Sequence, residues 1–172
     1  MIKVLMLLAP ERSRVCGYLV PRAFFDQANF EVSTSSTNHI VRGRFGYAVH
    51  IDILLEEVEA ENYDGIFFVG GGGSVEYADN TIAKNLFGSF LRLNKPVAAI
   101  CAAPRNLLKW GYLENKKCTG FDADGVFSQL AKEYKAIGMP HEKVVVDGNI
   151  LTANGPEASE ACALAFIELL TK

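Results

Sequence analysis

The stretch Val97-Ala98-Ala99-Ile100-Cys101-Ala102-Ala103-Pro104 decides the fold, because it runs from an apolar strand directly into a helix. A short unbroken apolar run is the pattern of a strand buried on both faces, as in a parallel sheet covered by helices. Ala102 and Ala103 are small enough for a sharp turn, and Pro104 suits a first helical position, where its missing N–H costs nothing. Strand, nucleophile, small residues, helix is the order of a nucleophile elbow. The helix through Leu107 and Leu108 would aim its positive end at the sulfur. Such a position lowers a thiol pKa from about 8.5 to roughly 3.5–7.5 when other partners help. The alternative is a buried cysteine packed as a small hydrophobe.

Working outward, four more apolar runs read as strands: Val4–Ala9, Phe30–Thr34, Gly65–Val69 and Asn149–Ala153, with the first run ending at Cys101 taken as Val97–Cys101. Stretches of helical spacing lie between them, with Val15, Leu19, Ala23 and Phe24 as one expected apolar face and Ile82, Leu86, Phe90 and Leu93 as another. Strand and helix in alternation predict a three-layer α/β/α sandwich with a mostly parallel sheet. Right-handed crossovers then bring the strand C-termini to one edge, where doubly wound proteins bind ligands. Residues 39–51 read as a hairpin added to that sheet, as do Lys143–Val146 turning at Asp147-Gly148 into Asn149–Ala153. The last helix is expected to open at Gly155-Pro156-Glu157 and to bury Cys162, Ala165, Phe166 and Leu169.

The chain has 172 residues, 49% hydrophobic and 22% charged, which excludes a disordered or disulfide-stapled protein and suits one domain spanning 1–172. Seventeen basic against twenty acidic residues give a net charge of −3 without runs of one sign, which argues against nucleic acid or anionic membrane as a partner. Val4–Ala9 is too short for a membrane span and Pro10-Glu11-Arg12 offers no cleavage pattern, so a cytoplasmic location is expected. Cysteines 16, 101, 118 and 162 show no zinc-like spacing, and neither a metal nor another cofactor is expected.

A second run, Phe67-Phe68-Val69-Gly70-Gly71-Gly72-Gly73-Ser74, takes another buried strand into four glycines. Their backbone N–H groups, with that of Ala102, suit an oxyanion hole. A phosphate cradle is the rival, but the Lys-Ser/Thr end of a P-loop is missing. A flexible turn is the plain alternative.

Together, Met1–Ala9, the FVGGGG run, the AICAAP junction and Val144–Thr152 followed by Gly155-Pro156 resemble the ThiJ/PfpI family, which includes the Parkinson-associated protein deglycase and the PfpI intracellular proteases. The resemblance covers nearly the whole chain. It implies a flavodoxin-like fold related to class I glutamine amidotransferase domains, usually assembled as a homodimer or larger homo-oligomer. It also implies that Cys101 is the reactive residue and that Gly70 and Gly71 are the glycine pair.

The departures are equally informative. The family glutamate that hydrogen-bonds the cysteine stands four residues before a proline, and counting back from Pro21 gives Gly17. The histidine that follows the cysteine in the protease branch is Ala102 here, and a further histidine is replaced near Phe121. A hydrolase triad therefore cannot be written, and a protease of the ordinary kind is not expected. Cys16 beside Gly17 is a candidate to face Cys101 and resolve a sulfenic acid, or simply a first-turn helix residue. Glu11, Tyr18 and Asp122 are candidates for a polar pocket wall, and His50 with Asp52 for a pair reaching the site; ordinary loop and surface positions explain them equally. His39 and His141 are isolated, and Cys118 and Cys162 read as core. The expected function is a thiol-dependent enzyme acting on small carbonyl or amide substrates. The alternative is a redox-sensing or ligand-binding relative that has lost its acid and base.

Overall fold

The computed structural model describes all residues, Met1–Lys172. The first half of the chain forms β1 (Lys3–Leu7), β2 (Glu11–Ser13), α1 (Val15–Gln27), β3 (Glu31–Ser36), β4 (Ile40–Gly43), β5 (Ala48–His50), β6 (Ile53–Leu54) and β7 (Gly65–Phe68). The second half adds α2 (Thr81–Arg92), β8 (Val97–Ile100), α3 (Pro104–Lys109), β9 (Lys117–Cys118), α4 (Val126–Glu133), β10 (Ile137–Gly138), β11 (Val144–Asp147), β12 (Ile150–Ala153) and α5 (Ser159–Leu170).

The main sheet has seven strands in the order β11-β12-β8-β7-β1-β3-β6. Every neighbouring pair is parallel except β11 with β12. The strands expected from the sequence are the five central ones. Most of their C-terminal ends are trimmed, so that Ala9, Val69 and Cys101 fall in the turns beyond them, while β3 starts one residue late and runs on past Thr34 to Ser36.

Alternation along the strands divides the core between the two faces of the sheet. Leu5, Leu7 and Phe68 pack with Phe87, Phe90 and Trp110 on one side. Val4, Met6 and Phe67 pack with Phe25, Cys162 and Phe166 on the other. Phe67 and Phe68 are thus sequence neighbours serving opposite layers. Phe67 lies edge-on to Phe166 at 5.7 Å between ring centroids, while Phe68 stacks on Trp110 at 6.2 Å.

Three readings of the sequence are corrected. The hairpin of residues 39–51 does form, as β4 with β5, but it joins β2 in a separate three-stranded sheet rather than extending the main one. Pro10 carries the chain out of the main sheet after β1, and its carbonyl accepts the Arg42 N–H at 2.8 Å. The main sheet is instead finished by β6, through Ser35↔Ile53 and Ser36↔Leu54. Helix α1 buries Gly17, Tyr18, Pro21 and Phe25, not the Val15, Leu19, Ala23 and Phe24 face, and Leu19 is exposed. The tertiary fit of Phe25 among Phe67 and Phe166 sets the rotation of this helix. In α2 the expected Leu86 and Phe90 are buried, but Ile82 and Leu93 at its ends are exposed and Phe87 takes their place in the core. The final helix is preceded by a 3₁₀ turn, Pro156–Ala158, and buries Cys162 and Phe166 as expected, whereas Ala165 and Leu169 are only half-buried and Ala163 is buried in their place.

Candidate functional site

At the C-terminal end of β8 the chain turns sharply at Cys101, whose φ of 64° lies in the left-handed region. A residue with a side chain holds that conformation at a cost of about 1–3 kcal/mol, so its surroundings must fix it. Two hydrogen bonds do so: the Cys101 N–H donates to Ala153 O at 2.9 Å, and its carbonyl accepts the Phe121 N–H at 2.7 Å. The turn then enters α3 through Ala102, Ala103 and Pro104, with Pro104 at the first helical position as expected.

The glycines after β7 are required by what lies against them. A Cβ on Gly70 would sit 2.5 Å from Ile100 O and 2.7 Å from Cys101 Cβ. Gly71 has φ 118°, and a Cβ there would meet Arg12 O at 2.5 Å and Arg14 N at 2.6 Å. The loop is tied to α3 by a buried chain of hydrogen bonds. Asn106 Nδ2 donates to Ser74 O at 2.7 Å, and Ser74 Oγ donates to Gly71 O at 2.7 Å.

The backbone N–H groups of Ala102 and Gly71 lie on the Cys101 side of the cavity and favour the thiolate. Gly70 instead supplies the close approach, and its carbonyl accepts the Arg14 N–H at 3.0 Å. Burial pushes the Cys101 thiol above the ordinary value, against the lowering influence of those two N–H groups and of the Arg14 and Arg105 charges. The sequence-based expectation of a lowered pKa is thereby corrected. A helix of only six residues carries too little dipole to offset desolvation of the sulfur.

Cys101, Ala102 and Gly71 line a cavity of about 580 Å³, together with Glu11, Arg12, Ser13 and Arg14 from the β2 segment and Gly43 and Arg44 from the end of β4. Arg105, Phe121, Asp124 and Pro156 are also part of its wall. Arg12 pairs with Glu76 outside the cavity. Arg105 Nη2 donates to Asp124 Oδ1 at 2.7 Å and to Phe121 O at 3.0 Å.

Of the other candidates, Glu11 lines this cavity and Cys16, Gly17 and Tyr18 do not. All four cysteines are free thiols, Cys16 half-buried. A Cβ on Gly17 would lie 3.7 Å from Gly70 N and 3.8 Å from Val69 Cγ1, so a longer side chain there would reach toward the end of β7. Tyr18 is buried beside Tyr47, with ring centroids 6.3 Å apart. Asp122 accepts hydrogen bonds from Ser128 N (2.8 Å) and Oγ (2.6 Å) and so anchors α4. Asp52 accepts from Thr34 N and Oγ1, both at 2.8 Å, rather than pairing with His50. His39, His50 and His141 are exposed. No group of three His, Cys, Asp or Glu side chains is gathered as a metal would need. The sequence reading missed the arginines and Asp124; the one local signal was Glu11-Arg12-Ser13-Arg14, a charged segment at the sheet edge where ligands bind.

A parallel sheet between helical layers, with a cysteine held in a left-handed turn where β8 meets α3, defines a flavodoxin-like fold of the ThiJ/PfpI type. Residues 2–169 match the DJ-1/PfpI family, and the chain belongs to that family. It is 33% identical over 174 residues to the uncharacterized protein MJ0967 of Methanocaldococcus jannaschii, covering 99% of this chain and 83% of that one. It is 27% identical to the deglycase PfpI of Pyrococcus furiosus, over 98% of this chain and 99% of that protein. The crystal structure of a ThiJ/PfpI domain protein from Brachyspira murdochii matches with a TM-score of 0.91 and 30% identity, covering 98% of this chain and 96% of the other.

Proposed function

We propose that the protein is a thiol-dependent enzyme in which Cys101 adds to a small carbonyl or amide compound. The observation that carries this reading is the left-handed Cys101 turn, which presents the sulfur to a cavity of about 580 Å³ with two backbone N–H groups beside it. Relatives named deglycases support the same class of chemistry. With an aldehyde, the sulfur forms a bond to the carbonyl carbon as the C=O π bond opens onto oxygen. The thiol proton ends on that oxygen, giving a hemithioacetal. The N–H groups of Ala102 and Gly71 hold the oxygen while it is negative.

A thiol whose pKa is raised needs a base to receive its proton. Of the two cavity carboxylates Asp124 is paired with Arg105 and Glu11 has no ion pair, and Glu11 is the residue proposed to carry that proton. Consumption of glyoxal tests the proposal. Cys101→Ser and Cys101→Ala are expected to abolish it, and full activity in either would refute it. A second reading, ligand binding without turnover, is favoured by Gly17 and Ala102 standing where an acid and a histidine would help the sulfur. The protein is further proposed to work as a homodimer or larger homo-oligomer in the cytoplasm. No helix is long and apolar enough to cross a membrane.

A further inference from the structure

We infer that the compound taken up by the Cys101 cavity carries an oxoanion, a carboxylate or a phosphate, bound chiefly by Arg14. The inference deepens the proposed function and rests on it, since it names the class of substrate that Cys101 meets. Four of the chain's seven arginines line this one cavity, and none of its ten lysines does. They face two carboxylates, Glu11 and Asp124, in a chain whose net charge is −3. A positive cavity in a negative protein is a selective feature of the site. Arginine rather than lysine supplies the planar fork of donors that fits a carboxylate or phosphate.

The four arginines differ in what they have left to offer. Arg12 is occupied by Glu76. Arg105 is held by Asp124 and the Phe121 carbonyl, yet its buried Nε has no partner. Arg44 lies over the Phe45 ring at 5.1 Å from its centroid and forms no ion pair. Arg14 is half-buried and its guanidinium has neither an ion pair nor a hydrogen bond. It lines the same cavity as Cys101, and its charge favours the thiolate there, so an anion bound to it shares the cavity with the reacting sulfur. A half-buried guanidinium with its donors open, on the wall of the cavity that holds the nucleophile, is arranged for a negative ligand.

Two alkylating reagents of similar shape and different charge provide the test. Iodoacetate and iodoacetamide both react by forming an S–C bond as the C–I bond breaks, with iodide leaving and the thiol proton passing to buffer. Because both attack the same sulfur, the ratio of their rates is independent of how much thiolate is present. In the full-length protein, with modification of Cys101 resolved by mass spectrometry, the iodoacetate/iodoacetamide ratio is expected to exceed that of the urea-unfolded chain by about tenfold, a size within reach of one guanidinium near a partly solvated site. Arg14→Gln should bring the ratio back toward the unfolded value, and Arg14→Lys should keep most of it. Added inorganic phosphate or acetate should protect Cys101 from iodoacetate; stronger protection by phosphate assigns a phosphate-bearing ligand, and stronger protection by acetate a carboxylate.

A ratio at or below that of the unfolded chain, with Cys101 reacting readily with iodoacetamide, overturns the anion site and leaves the nucleophile reading intact. Failure of Cys101 to react with either reagent overturns the nucleophile reading. The anion site is then decided by melting temperature. A rise with phosphate or acetate that is smaller in Arg14→Gln supports it, and equal rises in the two proteins overturn it.

Discussion

Gly70 and Gly17 are both buried, but their surroundings assign them opposite tolerances. A methyl group on Gly70 would collide with the Ile100 carbonyl and Cys101 Cβ, both parts of the rigid β8 turn. Gly70→Ala is therefore expected to lower stability by about 3 kcal/mol or more, since neither neighbour can move without disturbing the sheet. A methyl on Gly17 meets only ordinary contacts at 3.7–3.8 Å. It lies inside α1, so Gly17→Ala should raise stability by about 0.5–1 kcal/mol. Urea unfolding of the two variants checks both signs. Cys101, Gly71 and Ala102 were legible in the sequence because each belongs to a contiguous strand-to-turn motif whose chemistry is local. Arg44, Arg105 and Asp124 were not, because they come from distant segments that only the tertiary fold brings to one wall.

The central strands β1, β7, β8 and β12 could be read from their apolar runs, since burial on both faces favours apolar residues; β3, which buries Thr34, Ser35 and Ser36, shows that pattern more weakly. Strands β2 and β6 could not. Glu11-Arg12-Ser13 has the composition of a loop, and the two residues of β6 are too few to show a period. The rotation of α1 was likewise hidden, because its apolar residues surround the helix and only packing against the sheet and α5 selects Tyr18, Pro21 and Phe25. At this scale the link between α3 and the glycine loop is the feature that holds the site together. Asn106→Ala removes the buried hydrogen bond to Ser74 O, at an expected cost of about 0.5–1.5 kcal/mol. The same change loosens Ser74 and, through it, Gly71, so it should reduce glyoxal consumption more than a substitution in the opposite core layer that lowers the melting temperature equally. Phe166→Leu is the appropriate comparison, because that residue packs on the far face of the sheet from α3.

For the whole molecule, burial of thiols on both sides of the sheet couples stability to pH. Burial, with Asp147 nearby, pushes the Cys118 thiol up to about 11, and burial alone raises that of Cys162. An unfolded chain releases these protons near about 8.5. Below that pH both states hold them and stability is unaffected; above it the unfolded state is favoured. Between roughly pH 8.5 and 11, Cys118 should cause a loss of about 1.4 kcal/mol per pH unit, and Cys118→Ala should flatten the slope of unfolding free energy against pH by that amount. At this scale, too, the two halves of the sheet edge come together: β8 supplies the sulfur, β7 its glycine loop, and the small sheet of β2, β4 and β5 the charged wall. The claim that this assembly is a catalytic thiol site is tested most directly by titrating the protein with iodoacetamide while following glyoxal consumption and the modification of each cysteine. Activity is expected to fall in proportion to Cys101 modification and to be indifferent to Cys16. Undiminished activity with Cys101 fully alkylated would contradict it.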